Sequence, residues 1–222
     1  MMVARVYLID DDDSFRNSLC ALIESVGLRV DRSANPEDFL NKTSLDRPGC
    51  VVLDYRLPSL SGLEILRVIR STSSIPAILI SAYADVQTAV AAMEMGASTL
   101  FEKPLDDNSF LNTLERFCFA DAQRVRKRQL CLAVQADIAK LSDVERATLD
   151  QMVLGCSNKA IARNLSKSVK AIERNRQNVV RKLQCASAIE AVQRVQMCPL
   201  QNCSPLACQK DSCPAGLSLN AK

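Results

Sequence analysis

Val51-Val52-Leu53-Asp54-Tyr55-Arg56-Leu57-Pro58 carries the fold of this chain in one short stretch. From Cys50 to Leu53 the residues form an unbroken apolar run of strand length, and the run ends on a single carboxylate, Asp54. Pro58 and Gly62 then break the chain. A short apolar run bounded by turn residues reads as a buried strand of a parallel sheet. In open α/β sheets, ligands bind beyond the carboxyl ends of the strands. Asp54 would sit at such an end. A lone Asp there also suits the start of a turn, so its meaning rests on what the other strands deliver.

Outward from this stretch the same unit repeats. Residues 3–9 form an apolar strand that ends in Asp10-Asp11-Asp12-Asp13. Phe15, Leu19, Leu22, Ile23 and Val26 follow at helical spacing, and Gly27 stops that helix. Residues 28–33 are a short second strand, and Asn35-Pro36 caps a second helix. Leu63, Leu66 and Ile69 mark a third helix after Asp54. Residues 76–80 are a fourth strand ending at Ser81, and Asp85 opens a fourth helix closed by Gly96. Residues 98–101 are a fifth strand, ending at Glu102-Lys103-Pro104. Phe110, Leu111, Leu114 and Phe117 lie on a fifth helix. Five strand–helix units predict a parallel sheet with helices on both faces. Four of the five strands deliver polar groups to one edge: Asp10 and Asp11, Asp54, Ser81 and Lys103.

Such a set has a chemistry. Crowded carboxylates repel, and a hard cation such as Mg²⁺ relieves that repulsion. Lys103 offers a point charge for phosphate oxygens, and Ser81 offers a hydroxyl. Metal, carboxylate nucleophile, lysine and hydroxyl together suit phosphoryl transfer to an aspartate. Asp12 and Asp13 read as helix-start charges favoured by the helix dipole. The alternative for the whole cluster is a solvated acidic rim.

The chain has 222 residues, enough for two domains, and is 48% hydrophobic and 24% charged. Its net charge of +3 conceals a split. Residues 1–120 hold 11 basic and 17 acidic residues, and 121–197 hold 15 basic and 7 acidic. An acidic half joined to a basic half predicts that the second half meets a polyanion. Histidine is absent, which excludes histidine triads, histidine-ligated zinc and a self-phosphorylated histidine. No apolar run has the length of a membrane span, and the start of the chain lacks a secretory pattern, so the expected location is the cytoplasm. Six of the ten cysteines, Cys20, Cys50, Cys118, Cys131, Cys156 and Cys185, read as small buried hydrophobes.

Residues 121–136 read as a separate connecting helix whose basic run, Arg124 to Arg128, faces solvent. An all-α domain of four short helices is expected over 137–197. Ser142 with Glu145, and Ser187 with Glu190, have the spacing of capping boxes. On the helix after Ser168, Ile172, Val179 and Leu183 share one face. Lys170, Arg174, Gln177 and Arg181 share the opposite one, a row of long donors suited to the major groove. Arg176 and Lys182 lie to the sides, where phosphate contact is expected. The alternative is an ordinary solvated amphipathic helix. In the 198–222 tail, Cys198, Cys203, Cys208 and Cys213 recur every five residues amid prolines. The four-residue gaps are at the upper limit for structural zinc, and the composition favours a disordered tail.

Ile9-Asp10-Asp11, Asp54-Tyr55-Arg56-Leu57-Pro58, Ile80-Ser81-Ala82 and Phe101-Glu102-Lys103-Pro104, in that order, resemble the receiver domain of two-component response regulators. Leu141-Ser142, Ser157-Asn158-Lys159, Ile161-Ala162, Ile172-Glu173, Asn178-Val179 and Lys182-Leu183 resemble the LuxR-type helix-turn-helix of FixJ/NarL-like regulators. The resemblance implies a flavodoxin-like (βα)5 receiver over 1–120. It makes Asp54 the phosphoacceptor, and Asp10, Asp11, Asp54 and the Arg56 carbonyl the Mg²⁺ ligands. Ser81, Ala82 and Lys103 would hold the phosphoryl group, and the Lys103-Pro104 bond would be cis. It implies a helix-turn-helix over 158–177, opening at Asn158 and closing at Gln177. The implied partners are a sensor histidine kinase, promoter DNA, RNA polymerase and a second copy of the chain in a phosphorylated homodimer. Leu100 stands where the family often has a switch aromatic, with Phe101 beside it. Val144, Lys167 and Ala171 depart from the usual helix-turn-helix residues. Two rival functions follow from the same residues. Asp10-Asp11-Asp12 contains the Asp-x-Asp of Mg-dependent aspartate-nucleophile phosphatases, and the basic domain would serve equally to bind protein or RNA.

Overall fold

The computed structural model describes residues 4–42, 45 and 47–198. Two compact units part between Val125 and Arg126. The tail cysteines beyond Cys198 lie outside the described residues, and so do the zinc and disorder expectations attached to them. Among the described residues, no helix is long and apolar enough to cross a membrane.

The first unit alternates strictly. Its strands are β1 (Arg5–Ile9), β2 (Arg29–Ser33), β3 (Gly49–Asp54), β4 (Ala77–Ser81) and β5 (Thr99–Glu102). Between them run α1 (Asp13–Ser25), α2 (Pro36–Lys42), α3 (Gly62–Thr72) and α4 (Val86–Glu94), with α5 (Asp107–Ile138) after β5. The sheet order is β2-β1-β3-β4-β5, every pairing parallel. Strand side chains alternate between faces, so the sheet builds two cores. Tyr7, Ile9, Val51 and Leu53 meet Ile65, Leu66 and Ile69 of α3 on one face. Val6, Leu8, Cys50 and Val52 meet Leu19 and Ile23 of α1, with Phe110 and Leu114 of α5, on the other.

Register decides what the sheet edge presents. Ile9 pairs with Leu53, Asp54 with Ile80, and Ser81 with Glu102. Asp10 therefore emerges beside Asp54, and Ser81 emerges beside the residue that precedes Lys103. Two glycines permit close approaches along β3. A Cβ on Gly49 would lie 1.9 Å from the Arg5 carbonyl oxygen, and one on Gly62 would lie 2.4 Å from the Asp54 carbonyl oxygen.

Helix starts follow side-chain chemistry. Asp12 caps α1 by accepting from Ser14 and Phe15 backbone N–H groups, and Asp85 caps α4 through Thr88. Ser61 and Glu64 form a reciprocal capping box on α3 that the sequence reading passed over. The expected fifth helix and separate connecting helix are one element, α5. No glycine or proline interrupts it, so nothing in the chain ends the first helix before the second begins. Arg126, Lys127 and Arg128 are exposed along it, as a solvated face requires.

The second unit packs α6 (Asp143–Val153), α7 (Asn158–Asn164), α8 (Val169–Lys182) and α9 (Ala188–Gln196). Leu149, Met152, Ile161, Ile172, Val179, Leu183, Ala191 and Val195 form its core, with Cys131 and Val134 from the end of α5. Ser142 and Glu145 form the expected capping box. Ser187 caps α9, but Glu190 reaches back to the Ala186 N–H, one residue earlier than the reciprocal motif requires. The turn between α7 and α8 is closed by Ser166 at φ +51°. Lys167 N–H there bonds the Ala162 carbonyl at 2.9 Å, satisfying an end carbonyl of α7.

Candidate functional site

The edge of the first sheet gathers four side chains. Asp10 is buried, Asp54 is partly buried and Asp11 is exposed, and their carboxylate oxygens lie within 4.8 Å of one another. Lys103 Nζ donates to Asp10 Oδ2 at 3.0 Å and to Asp54 Oδ2 at 3.3 Å. Burial pushes the Asp54 carboxyl above the usual carboxylate range, against the opposing charge of Lys103. The Lys103 ammonium is held above its ordinary value: burial opposes this, but two carboxylates outweigh it. The two shifts have different causes: burial dominates at Asp54, and the pair of carboxylates dominates at Lys103. A cluster of hard oxygen donors with one carboxylate at the surface suits a divalent cation.

The remaining sheet-edge residues are placed as follows. Arg56 N–H points at Asp54 Oδ1, 3.4 Å away, so its backbone runs beside that carboxylate. Ser81 is buried, and its hydroxyl donates to the Tyr83 carbonyl at 2.8 Å and accepts from Tyr83 N–H at 3.1 Å. Ala82 is exposed. Leu100 packs on the core cluster that contains Tyr7 and Leu53, whereas Phe101 faces the opposite layer, edge-on to Phe110. The Lys103-Pro104 bond is cis. Arg16 escaped the sequence reading. It is buried, donates from Nη1 to the Asp10 carbonyl at 2.6 Å and pairs with Asp13. It thereby ties the first turn of α1 to the end of β1. The only sequence signal was a basic residue three positions after Asp13.

In the second unit, Lys170, Arg174, Gln177 and Arg181 are all exposed on α8, while Ile172, Val179 and Leu183 are fully buried on its other side. Arg176 is half-buried. Asn158 opens α7, and α8 runs on to Lys182, so the two helices and their turn extend past the expected end at Gln177.

Residues 6–115 match the response regulator receiver domain family, and residues 139–195 match the luxR family of bacterial regulatory proteins. The chain is 38% identical over 189 residues to the transcriptional regulatory protein FixJ of Azorhizobium caulinodans, covering 84% of this chain and 89% of that protein. The FixJ of Bradyrhizobium diazoefficiens is 34% identical, at 84% and 92% coverage. Among solved structures, the response regulator StyR superposes with a TM-score of 0.77 at 29% identity, covering 87% of this chain and 98% of that one.

The chain belongs to the two-component response regulators with a LuxR-type DNA-binding domain. It is a transcription regulator of that family. The phosphatase alternative finds no support in it. Asp12, which that reading would need free for acid–base work, is occupied as the cap of α1.

In this DNA-binding response regulator, one side chain expected on phosphate already has partners within its own domain. Lys182 Nζ is turned into its own domain, donating to Glu145 Oε2 at 2.6 Å and to the Lys140 carbonyl at 3.0 Å. The Glu145 carboxylate is buried, so it claims the nearest cation before any polyanion arrives. Lys182→Ala is expected to lower stability by about 1–2 kcal/mol, solvent at the lysine end screening a larger loss. The salt dependence of DNA binding should be unaltered. Thermal melts and titrations at several salt concentrations check both; a salt slope reduced by about one would return Lys182 to the phosphate contacts.

Proposed function

We propose that Asp54 is the phosphoacceptor of this regulator, and that its phosphorylation controls how the luxR-type unit binds promoter DNA. The observation that carries the proposal is the Lys103 ammonium spanning Asp10 and Asp54 at the sheet edge. An Asp54 oxygen attacks the phosphorus of a phosphohistidine on a sensor kinase, the P–N bond breaks, and the imidazole leaves with a proton. The chain supplies no histidine of its own, in keeping with a donor from outside. Asp10, Asp11 and Asp54, with the Arg56 carbonyl, would hold Mg²⁺. When bound, that ion neutralises charge on the phosphoryl oxygens. Lys103, the Ser81 hydroxyl and the Ala82 N–H would hold the group once transferred. For this, Ser81 must give up its two bonds to Tyr83. Leu100, lacking an aromatic ring, would repack as Ser81 moves. The receiver would take phosphate from small donors and lose it to water unaided, its only catalysis.

On this reading the receiver is 1–120, with a connecting stretch over 121–136, the DNA-binding domain over 137–197 and a tail over 198–222. Lys170, Arg174, Gln177 and Arg181 would face base edges, with Arg176 beside them on phosphate. Phosphorylation would favour a homodimer. An exposed apolar stripe on α4, Val86, Val90 and Met93, offers a surface for it. RNA polymerase would be a further partner at the promoter, and the setting would be the cytoplasm. Titration with beryllofluoride, followed by DNA binding and sedimentation, tests the coupling. Unchanged affinity and mass on saturation would refute it.

Tyr83 sits two residues past Ser81 and is exposed, with the Arg56 guanidinium 5.4 Å from its ring centroid. The pair joins two loops that flank Asp54. Tyr83→Ala is expected to shorten the phosphorylated lifetime by about two- to fivefold, the scale of one such contact. Decay of labelled phosphate from purified protein measures it, and an unaltered half-life rules out shielding by this ring.

A further inference from the structure

Lys103 has a third neighbour that the phosphoacceptor chemistry does not use. Its Nζ lies 3.8 Å from the centroid of the Phe15 ring. That is well within the range at which an ammonium is drawn to the negative face of an aromatic ring. The three contacts are distributed around one ammonium: a carboxylate from β1's end, a carboxylate from β3's end, and a ring from the first turn of α1. Phe15 is not free to drift. Its N–H donates to the Asp12 cap at 3.1 Å, and the neighbouring Arg16 fastens α1 to the Asp10 carbonyl. On its outer side Phe15, with Leu19, Leu22, Pro104 and Leu105, lines a shallow groove open to solvent beside Lys103. Lys103 lines the same groove, so the ring and the lysine meet at its wall.

A carboxylate and a ring hold a cation differently. A carboxylate oxygen is a point acceptor and fixes the direction of the N–H. A ring face attracts the charge over a broad area and competes for no oxygen. When a phosphoryl oxygen replaces Asp54 Oδ2 as a partner of Lys103, the ammonium must move by a fraction of its contact length. Over the Phe15 face it can do so while staying attracted.

We infer that Phe15 is a positioning residue for phosphoryl transfer, steering the Lys103 ammonium through its ring face as the phosphoryl group arrives. The inference rests on Asp54 being the phosphoacceptor. Its test follows the rate constant for phosphoryl uptake from acetyl phosphate at fixed Mg²⁺. Phe15→Leu keeps an apolar side chain of similar bulk, removes the ring, and is expected to slow uptake about fivefold. Phe15→Tyr and Phe15→Trp, which keep a π face, should stay within about twofold of the parent. Phenylalanines bearing one, two and three fluorines at position 15 alter size little while weakening the negative face, so the logarithm of the rate should fall stepwise through that series. A readout without metal or phosphate accompanies it. The ε-methylene protons of Lys103 should resonate upfield under the ring in the parent and return to ordinary lysine values in Phe15→Leu.

A flat fluorine series overturns the inference, because Phe15 then acts by shape alone, and so does an unshifted Lys103 signal in the parent. Should Phe15→Leu fail to fold, the fluorinated proteins still decide. Asp54→Asn run alongside separates the two ideas. Label retained by Asp54→Asn sinks the phosphoacceptor reading, whereas label lost there with Phe15→Leu at the parent rate sinks only the role of Phe15.

Discussion

Asp54→Asn is expected to bring phosphoryl uptake from kinase or acetyl phosphate down to background. The amide is nearly the same shape as the carboxylate, so the packing of β3 and the loop to Gly62 survives. Its nitrogen and oxygen are far weaker nucleophiles, and no acyl phosphate forms. Folding should not suffer. The native carboxylate is partly buried, held above its ordinary range by that burial, and shares one lysine with Asp10. Removing its charge relieves repulsion with Asp10 while leaving Lys103 its shorter bond. The melting temperature is therefore expected to match or slightly exceed the parent's. Label incorporation measured on gel-resolved protein, beside a thermal melt, checks both parts. Stoichiometric label on Asp54→Asn would move the acceptor elsewhere in the chain and undo the proposed mechanism.

The double substitution Arg174→Ala, Arg181→Ala is the second large effect. Both side chains project from the exposed face of α8 while Ile172 and Val179 anchor the other face, so truncation removes donors without opening the core. A side chain bidentate to a base is worth about 1–3 kcal/mol, and the pair should weaken binding to a preferred duplex by about 2–6 kcal/mol. The preferred duplex can be selected from random DNA by the parent protein. Binding to an unrelated duplex should fall much less, because the proposed phosphate contact from Arg176 remains. Equal losses on both duplexes would mean that α8 holds the backbone and reads no bases. Unchanged binding to both would take the helix off DNA altogether.

The parts of this molecule that were legible from its residues share a property: each is written locally. The strand ends at Asp10, Asp54, Ser81 and Lys103 follow from short apolar runs meeting a polar residue. Parallel register then brings them together without further instruction. The two faces of α8 follow from helical periodicity. What escaped depends on residues far apart in sequence or on alternatives of equal local quality. Lys182 and Arg176 look equivalent along the helix, yet Glu145, thirty-seven positions away, captures only the lysine. Phe15 was one of several apolar residues on α1, and nothing near it in sequence announces Lys103. Helix continuity through α5 was hidden for another reason. A change from apolar to basic composition suggests a boundary, but only a breaking residue enforces one. The cap of α9 shows the same limit on a finer scale: the Ser187–Glu190 spacing permits the reciprocal box, while the backbone offers the glutamate a nearer N–H at Ala186.

Gly62 has no side chain and is not among the residues proposed to hold phosphate or metal, yet its α-carbon is pressed so closely on the Asp54 carbonyl that any added atom would collide with main chain. In a saturation screen scored by transcriptional output, position 62 would rank among the least tolerant in the protein, level with residues that carry the reaction. Intolerance there would reflect crowding beneath Asp54, and a ranking of positions by phenotype would mistake a gap for a participant.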